Sequence, residues 1–182
     1  MRRPFWVFDD IDRAPRRRLF TLCGVEWQAT AHAWLCIPVY TVAGALLAFG
    51  VGDLRADPAT WPAALAYGVL LYLTNVVHTL GHLLSGALIG HPMNGVLVTA
   101  TFDVDLYRGE QAGFGRRVHA VRALGGPLAN LVAGLAGLAA GSAPGTTWLM
   151  FFGYASLASA FWTLLPIAPM DGWVLWHTQD DV

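Results

Sequence analysis

The sequence predicts an all-α integral membrane protein with about four transmembrane helices, a short N-terminal strand and a β-containing cytoplasmic loop. Three observations predict it. Hydrophobic residues make up 55% of the 182 positions and charged residues only 13%, a balance outside the usual range for soluble domains. Residues 27–52, 58–102 and 123–170 contain no Asp, Glu, Lys or Arg at all. The eleven basic residues are all arginine, and all but Arg55 gather before the first of these runs and after the second. The length suits one compact domain spanning 1–182. A net charge of −1 gives no footing for a nucleic-acid partner. Cys23 and Cys36 read as unpaired thiols rather than a disulfide framework.

Taken in order, residues 1–30 form a cytoplasmic N-terminal segment. Arg2 and Arg3 precede only a short apolar patch and then Asp9, Asp10 and Asp12, which does not read as a cleavable signal peptide. Arg13, Arg16, Arg17 and Arg18 make a basic flank at the membrane surface, and residues 19–27, around Gly24, read as a short strand. Residues 31–51 are long enough for a first transmembrane helix, with His32 at its interface. Residues 53–60 form a polar connection. Residues 61–90 form a second, long apolar helix. Residues 91–122 are the one substantial extramembrane stretch, cytoplasmic or re-entrant. Within it, residues 95–106 are rich in Val and Thr and predict a hairpin or re-entrant strand. Asp103, Asp105, Glu110, Arg116 and Arg117 read as a solvated face. A third helix is expected over 124–140 and a fourth from about Thr147, separated by the breakers at 141–145. The fourth should unwind where Pro166, Pro169 and Asp171-Gly172 follow.

Arginine counts set the orientation. Six precede the first helix and four lie in or beside the 91–122 loop, against one in the first connection and none in the third. The positive-inside rule therefore places both termini and the large loop in the cytoplasm. The second and fourth helices then run in the same direction.

The candidate site lies on the second helix. His78 and His82 are four apart and project from one helical face, which continues through Thr74, Asn75 and Ser85. Polar groups are costly in a bilayer, so this stripe should face protein, water or a metal. Paired histidines at this spacing offer two imidazoles to one zinc; the alternative is buried polar packing. The topology brings Asp171, at the cytoplasmic end of the fourth helix, to similar depth. Two histidines and a carboxylate make a three-ligand zinc site with one position left for water. Haem or di-iron use is disfavoured, because the helices carry none of the glutamates a four-helix carboxylate site needs.

With these motifs in place, the chain resembles the site-2 proteases, intramembrane zinc metalloendopeptidases. His78-Thr79-Leu80-Gly81-His82 is similar to that family's His-Glu-Leu-Gly-His, and Gly126-Pro127-Leu128-Ala129-Asn130 to its Gly-Pro-x-x-Asn. The stretch 164–172 resembles its Leu-Leu-Pro-x-x-Pro-Leu-Asp-Gly ending, and Leu22-Cys23-Gly24-Val25 with His32 its short strand before the first helix. The resemblance implies zinc ligands at His78, His82 and Asp171. It implies a substrate or oxyanion contact at Asn130, for which a helix-packing amide is the alternative. Pro127 reads as a helix-start residue. It also implies a transmembrane helix or membrane-associated peptide of a client protein as partner, besides the lipid bilayer.

Two departures matter. Thr79 stands in place of the glutamate that activates water, and a hydroxyl cannot act as a base near neutral pH. Thr163 stands where the family commonly has Asn. The leading expectation is therefore a zinc-binding pseudoprotease that engages a membrane partner without efficient cleavage. The competitors are an active metalloendopeptidase with a base from Asp103, Asp105 or Glu110, and a metal-free structural membrane protein.

Overall fold

The computed structural model describes residues 15–49, 60–107, 114–168 and 170–177. The acidic residues 9–12, Arg13, most of the 53–60 connection, Glu110 and Pro169 lie outside them. Two architectures are joined: a bundle of four helices and a four-stranded sheet at one end of it.

The segment expected as one strand is a hairpin of β1 (Arg17–Leu22) and β2 (Val25–Ala29). Its two-residue turn places both Cys23 and Gly24 at positive φ, 50° and 79°, the backbone whose twist suits a tight hairpin. The 95–106 stretch is a second hairpin, β3 (Gly95–Val98) and β4 (Asp103–Leu106). β2 and β3 pair in parallel, Trp27 opposite Val96 and Ala29 opposite Val98. β4 pairs antiparallel with β3, Val96 opposite Asp105. The strand order is β1-β2-β3-β4, so β4 is an edge. Val25, Trp27, Met93, Val96 and Val98 form the sheet's apolar core, with Leu83 and Tyr107 packed on it.

After one 3₁₀ turn at Ala33–Leu35 the chain enters α1 (Cys36–Phe49) and then α2 (Trp61–Leu88), where Pro62 fits the first turn. α3 (Arg116–Gly141) and α4 (Thr147–Thr163) complete the bundle, and a short α5 (Asp171–His177) follows. α2 and α3, of 28 and 26 residues, are long and apolar enough to cross a membrane. α1 and α4 have 14 and 17 residues.

The bundle interior is the reverse of a soluble core. Its buried positions are small or polar: Gly44, Gly68, Thr74, Gly81, Gly125, Asn130, Gly137, Gly153 and Ser156. Its outer face carries Leu47, Val69, Val132 and Phe161, each more than half exposed. Small residues let backbones approach closely in lipid, where large apolar side chains gain nothing by turning inward. A Cβ added at Gly44 would lie 2.5 Å from the Gly68 nitrogen, and one at Gly137 3.0 Å from the Gly153 Cα. Tyr40 meets Asn75 where Gly44 meets Gly68, His78 meets Asn130 where Gly81 meets Gly125, and Gly137 meets Gly153 where Gly141 meets Met150, so each sequential pair is antiparallel and α2 and α4 run the same way.

Three expectations are corrected. α3 begins at Arg116 rather than 124, so Pro127 lies inside the helix instead of starting it. The charged turns before Ala123 are helical because Arg122 is buried and packs its guanidinium over Tyr107, 4.2 Å from the ring centroid. The solvated face is split: Arg116 and Arg117 are exposed, but Asp103 and Asp105 turn toward the helices. The sheet is also larger than expected, because its two hairpins join across a long stretch of sequence.

Candidate metal centre

α2 presents His78 and His82 one turn apart, with their Nε2 atoms 2.9 Å from each other. Gly172 packs so tightly on the carbonyls of Leu164 and Leu165 that a Cβ has no room, which folds the Asp171-Gly172 corner back against the end of α4. Asp171 thereby reaches both rings: Oδ2 is 3.0 Å from His78 Nε2 and Oδ1 is 3.3 Å from His82 Nε2. The three ligand atoms all lie within 4.8 Å of one another. The site expected from sequence thus has its three donors together, at the sheet end of the bundle.

Each ring's second nitrogen is also engaged. His82 Nδ1 lies 2.7 Å from the Arg122 carbonyl and 3.3 Å from the Gly126 nitrogen; the closer partner can only accept, which assigns the proton to Nδ1 and leaves the Nε2 lone pair facing the cluster. That carbonyl also accepts from Ser85 Oγ at 3.4 Å. Arg122 itself is tied down through Nε to the His91 carbonyl at 3.0 Å. His78 Nδ1 faces the Asn130 side-chain amide at 3.4 Å. Asn130 is fully buried; its amide is 2.9 Å from Ser159 Oγ, and Oδ1 as placed has no partner. Amide orientation is assigned from the network. Turning this one puts Oδ1 where the His78 Nδ1–H and the Ser159 hydroxyl can both donate. Both imidazoles then present Nε2 inward with Nδ1–H held by an oxygen, the usual support of a ligating histidine. The donor set therefore suits zinc. Asn130, expected at substrate or oxyanion, stands behind His78.

α3 passes close over the rings because residue 126 is glycine. A Cβ there would lie 2.5 Å from His78 Nε2 and from His82 Nε2. Thr79 is buried. On the helical wheel it lies roughly 60° beyond His82, from 100° per residue. Thr163 is spent on its own helix, its hydroxyl donating to the Ser159 carbonyl at 3.0 Å. Of the polar stripe, Asn75 donates to the Tyr40 hydroxyl, whose own proton goes to the Thr101 carbonyl at 2.8 Å. The stripe faces protein, as its cost in lipid demands.

Two carboxylates of β4 complete the surroundings. Asp105 Oδ2 lies 3.9 Å from His82 Nε2, while Asp103 takes a hydroxyl contact from Tyr72 at 3.4 Å. Burial pushes Asp105 upward, against the charges of His82 and His78. Burial, aided by the charge of Asp105, raises Asp103 to about 7. The period-two placement of these acids in the strand Asp103-Val104-Asp105-Leu106 signals that they share one face. The sequence alone does not show that this face is the inner one.

Asp103 yields a pH prediction. Its folded-state pKa is raised, so the unfolded chain loses the proton first. The group's contribution is fully favourable below about 4 and is lost as pH rises through about 7. Melting of Asp103→Asn in detergent between pH 5 and 8 should show a flatter dependence than wild type. The difference at pH 8 is expected to be on the order of a few kcal/mol in favour of the variant.

No protein-family model matches this chain, and no curated protein matches it in sequence. Among solved structures it is similar to the site-2 protease from Methanocaldococcus jannaschii, with a TM-score of 0.60 and 18% identity. The likeness covers 89% of this chain and 70% of that one. At that identity it shows a shared fold alone; in this chain that fold gathers the two histidines and the aspartate at one end of the bundle.

Proposed function

We propose that this chain is a multi-pass membrane protein that binds one zinc ion through His78, His82 and Asp171, with both termini and the sheet on the cytoplasmic side. The single observation that carries it is the convergence of those three donors, from α2 and from the start of α5, with His82 Nδ1 against the Arg122 carbonyl and His78 Nδ1 against the Asn130 side-chain amide. Bound zinc would supply Lewis-acid polarisation and an acidified water. The chain's own residues orient the rings, exclude lipid and hold the carboxylate in place. Thr79 offers no base, so the route to cleavage that the resembled family takes through that position is closed. The protein on this reading binds a transmembrane helix or membrane-associated peptide of a client without efficient cleavage.

A second reading, an active intramembrane metalloendopeptidase with a base from outside α2, is favoured by one observation: the Asp105 carboxylate beside His82. Of the other two candidates, Asp103 is committed to Tyr72, and Glu110 lies outside the described residues. Cleavage of a flexible, helix-destabilised membrane substrate by the unmodified protein separates the two readings.

The zinc reading is tested by metal content after purification in detergent. His78→Ala, His82→Ala and Asp171→Ala should each lose most of the zinc, whereas Asn75→Ala, outside the donor set, should keep it. Because the ligands bind deprotonated, zinc should also be released as pH falls through the histidine range. Equal zinc in all four variants would remove the site from consideration.

A further inference from the structure

We propose that Asp105 is the second carboxylate of this metal centre, the negative charge that a glutamate at position 79 would otherwise supply. The inference rests on the zinc reading above, and its test is read first in metal affinity rather than in cleavage.

Charge is the first argument. A divalent ion held by two neutral imidazoles and one carboxylate leaves one positive charge uncompensated, at a place enclosed by protein and flanked by apolar helices. An unpaired charge there is costly, and a second carboxylate makes the centre neutral. Asp105 is the group in position to do this. Its side chain is 18% exposed, and Oδ2 is 3.9 Å from His82 Nε2. It stands outside the three-donor cluster, so it faces the centre without being one of the three donors.

Position is the second argument. Asp105 sits on β4, opposite Val96 of the sheet core, so its place is set by strand register and not by a free loop. Asp103, on the same strand face, is engaged by Tyr72 and serves as the control. Asp105 approaches His82, and position 79 also lies on the His82 side of the helical wheel. The carboxylate delivered from the sheet thus stands nearest the ring on whose side position 79 lies.

The test is zinc affinity of the full chain in detergent, measured by competition with a chelator. A wild-type protein that binds no zinc overturns the underlying reading before any variant is compared. With zinc bound by the wild type, Asp105→Asn is expected to weaken it about 10- to 100-fold, the range for groups that support ligands from outside. Asp103→Asn should change it little. Asp105→Asn combined with Thr79→Glu should restore affinity, because the charge returns from the helix; a packing role for Asp105 would not be rescued this way. Unchanged affinity in Asp105→Asn overturns the proposal. So does tighter binding, the result if Asp105 only pairs with a protonated His82. Should Asp105→Asn not fold, Asp105→Ser and Asp105→Glu take its place: weaker zinc in the first with near-wild-type zinc in the second supports the charge role, and equal affinity in both overturns it.

Discussion

Gly126→Ala is expected to empty the metal centre while leaving the bundle assembled. The added methyl group would lie 2.5 Å from both Nε2 atoms, in the space the ion needs. Neither ring can retreat far, because His82 is held by the Arg122 carbonyl and His78 faces Asn130. Overpacking of this kind costs about 1–3 kcal/mol, which a bundle of four helices can absorb, but the loss of the site cannot be shared out. Zinc content should fall to that of His82→Ala. Gly134→Ala is the control on the same helix, since its Cβ would press on the Leu157 side chain, away from the histidines. It should lower thermal stability and keep its zinc. Zinc retained at wild-type level in Gly126→Ala would mean that α3 does not lie over the rings.

The second large effect is a gain. Thr79→Glu should introduce or raise peptide-bond cleavage while leaving zinc bound, because what position 79 lacks is proton handling and not metal affinity. General acid–base assistance is worth about 10²–10⁴ in rate, and the metal's charge offsets much of the cost of burying the new carboxylate. Thr163→Asn belongs in the same variant. The Thr163 hydroxyl is turned back on its own helix, so it presents nothing to a substrate. If Asp105 neutralises the centre as proposed, the new glutamate adds a further negative charge to it; Asp105→Asn should then improve the Thr79→Glu enzyme rather than harm it. The assay is cleavage of a helix-destabilised membrane substrate. No cleavage by a folded, zinc-loaded Thr79→Glu/Thr163→Asn protein would show that more than the base has been lost. Strong cleavage by the unmodified chain would instead assign the base to a group already present.

Much of this was legible in the chain because charge is so sparse. Uncharged runs marked the helices, and the beginning of α2 at Trp61 and of α4 at Thr147 followed from Pro and Gly punctuation. His78, His82 and Asp171 came together from helix direction alone. The failures have a common physical cause, which is that a sequence shows a residue's polarity but not the partner that satisfies it. Arg116 to Arg122 looked like loop because the ring pair that shelters Arg122, Tyr107 and Phe114, lies elsewhere in sequence. Asp103 and Asp105 looked solvated because Tyr72 and His82 are on another element. Pro127 looked like a helix start because proline in a helix interior removes one bond to the carbonyl four residues back; here the turn before it faces His82 Nδ1, which lies 2.7 Å from the Arg122 carbonyl and 3.3 Å from the Gly126 nitrogen. The parallel β2–β3 pairing has no local signature at all.

That parallel pairing also dictates an order of assembly. β2 is made before α1 and β3 after α2, so the two strands can meet only when both intervening helices have been synthesised and turned back on each other. Contacts so far apart in sequence form late. The histidines of α2 are therefore made before β4 can bring Asp105 to them, and Asp171 emerges from the ribosome roughly ninety residues after His82. For that interval the nascent chain holds the two imidazoles without the Asp171 carboxylate that completes the three-donor cluster. Maturation of the centre is consequently a late event, and a chain arrested after α2 should insert in the bilayer yet take up no metal.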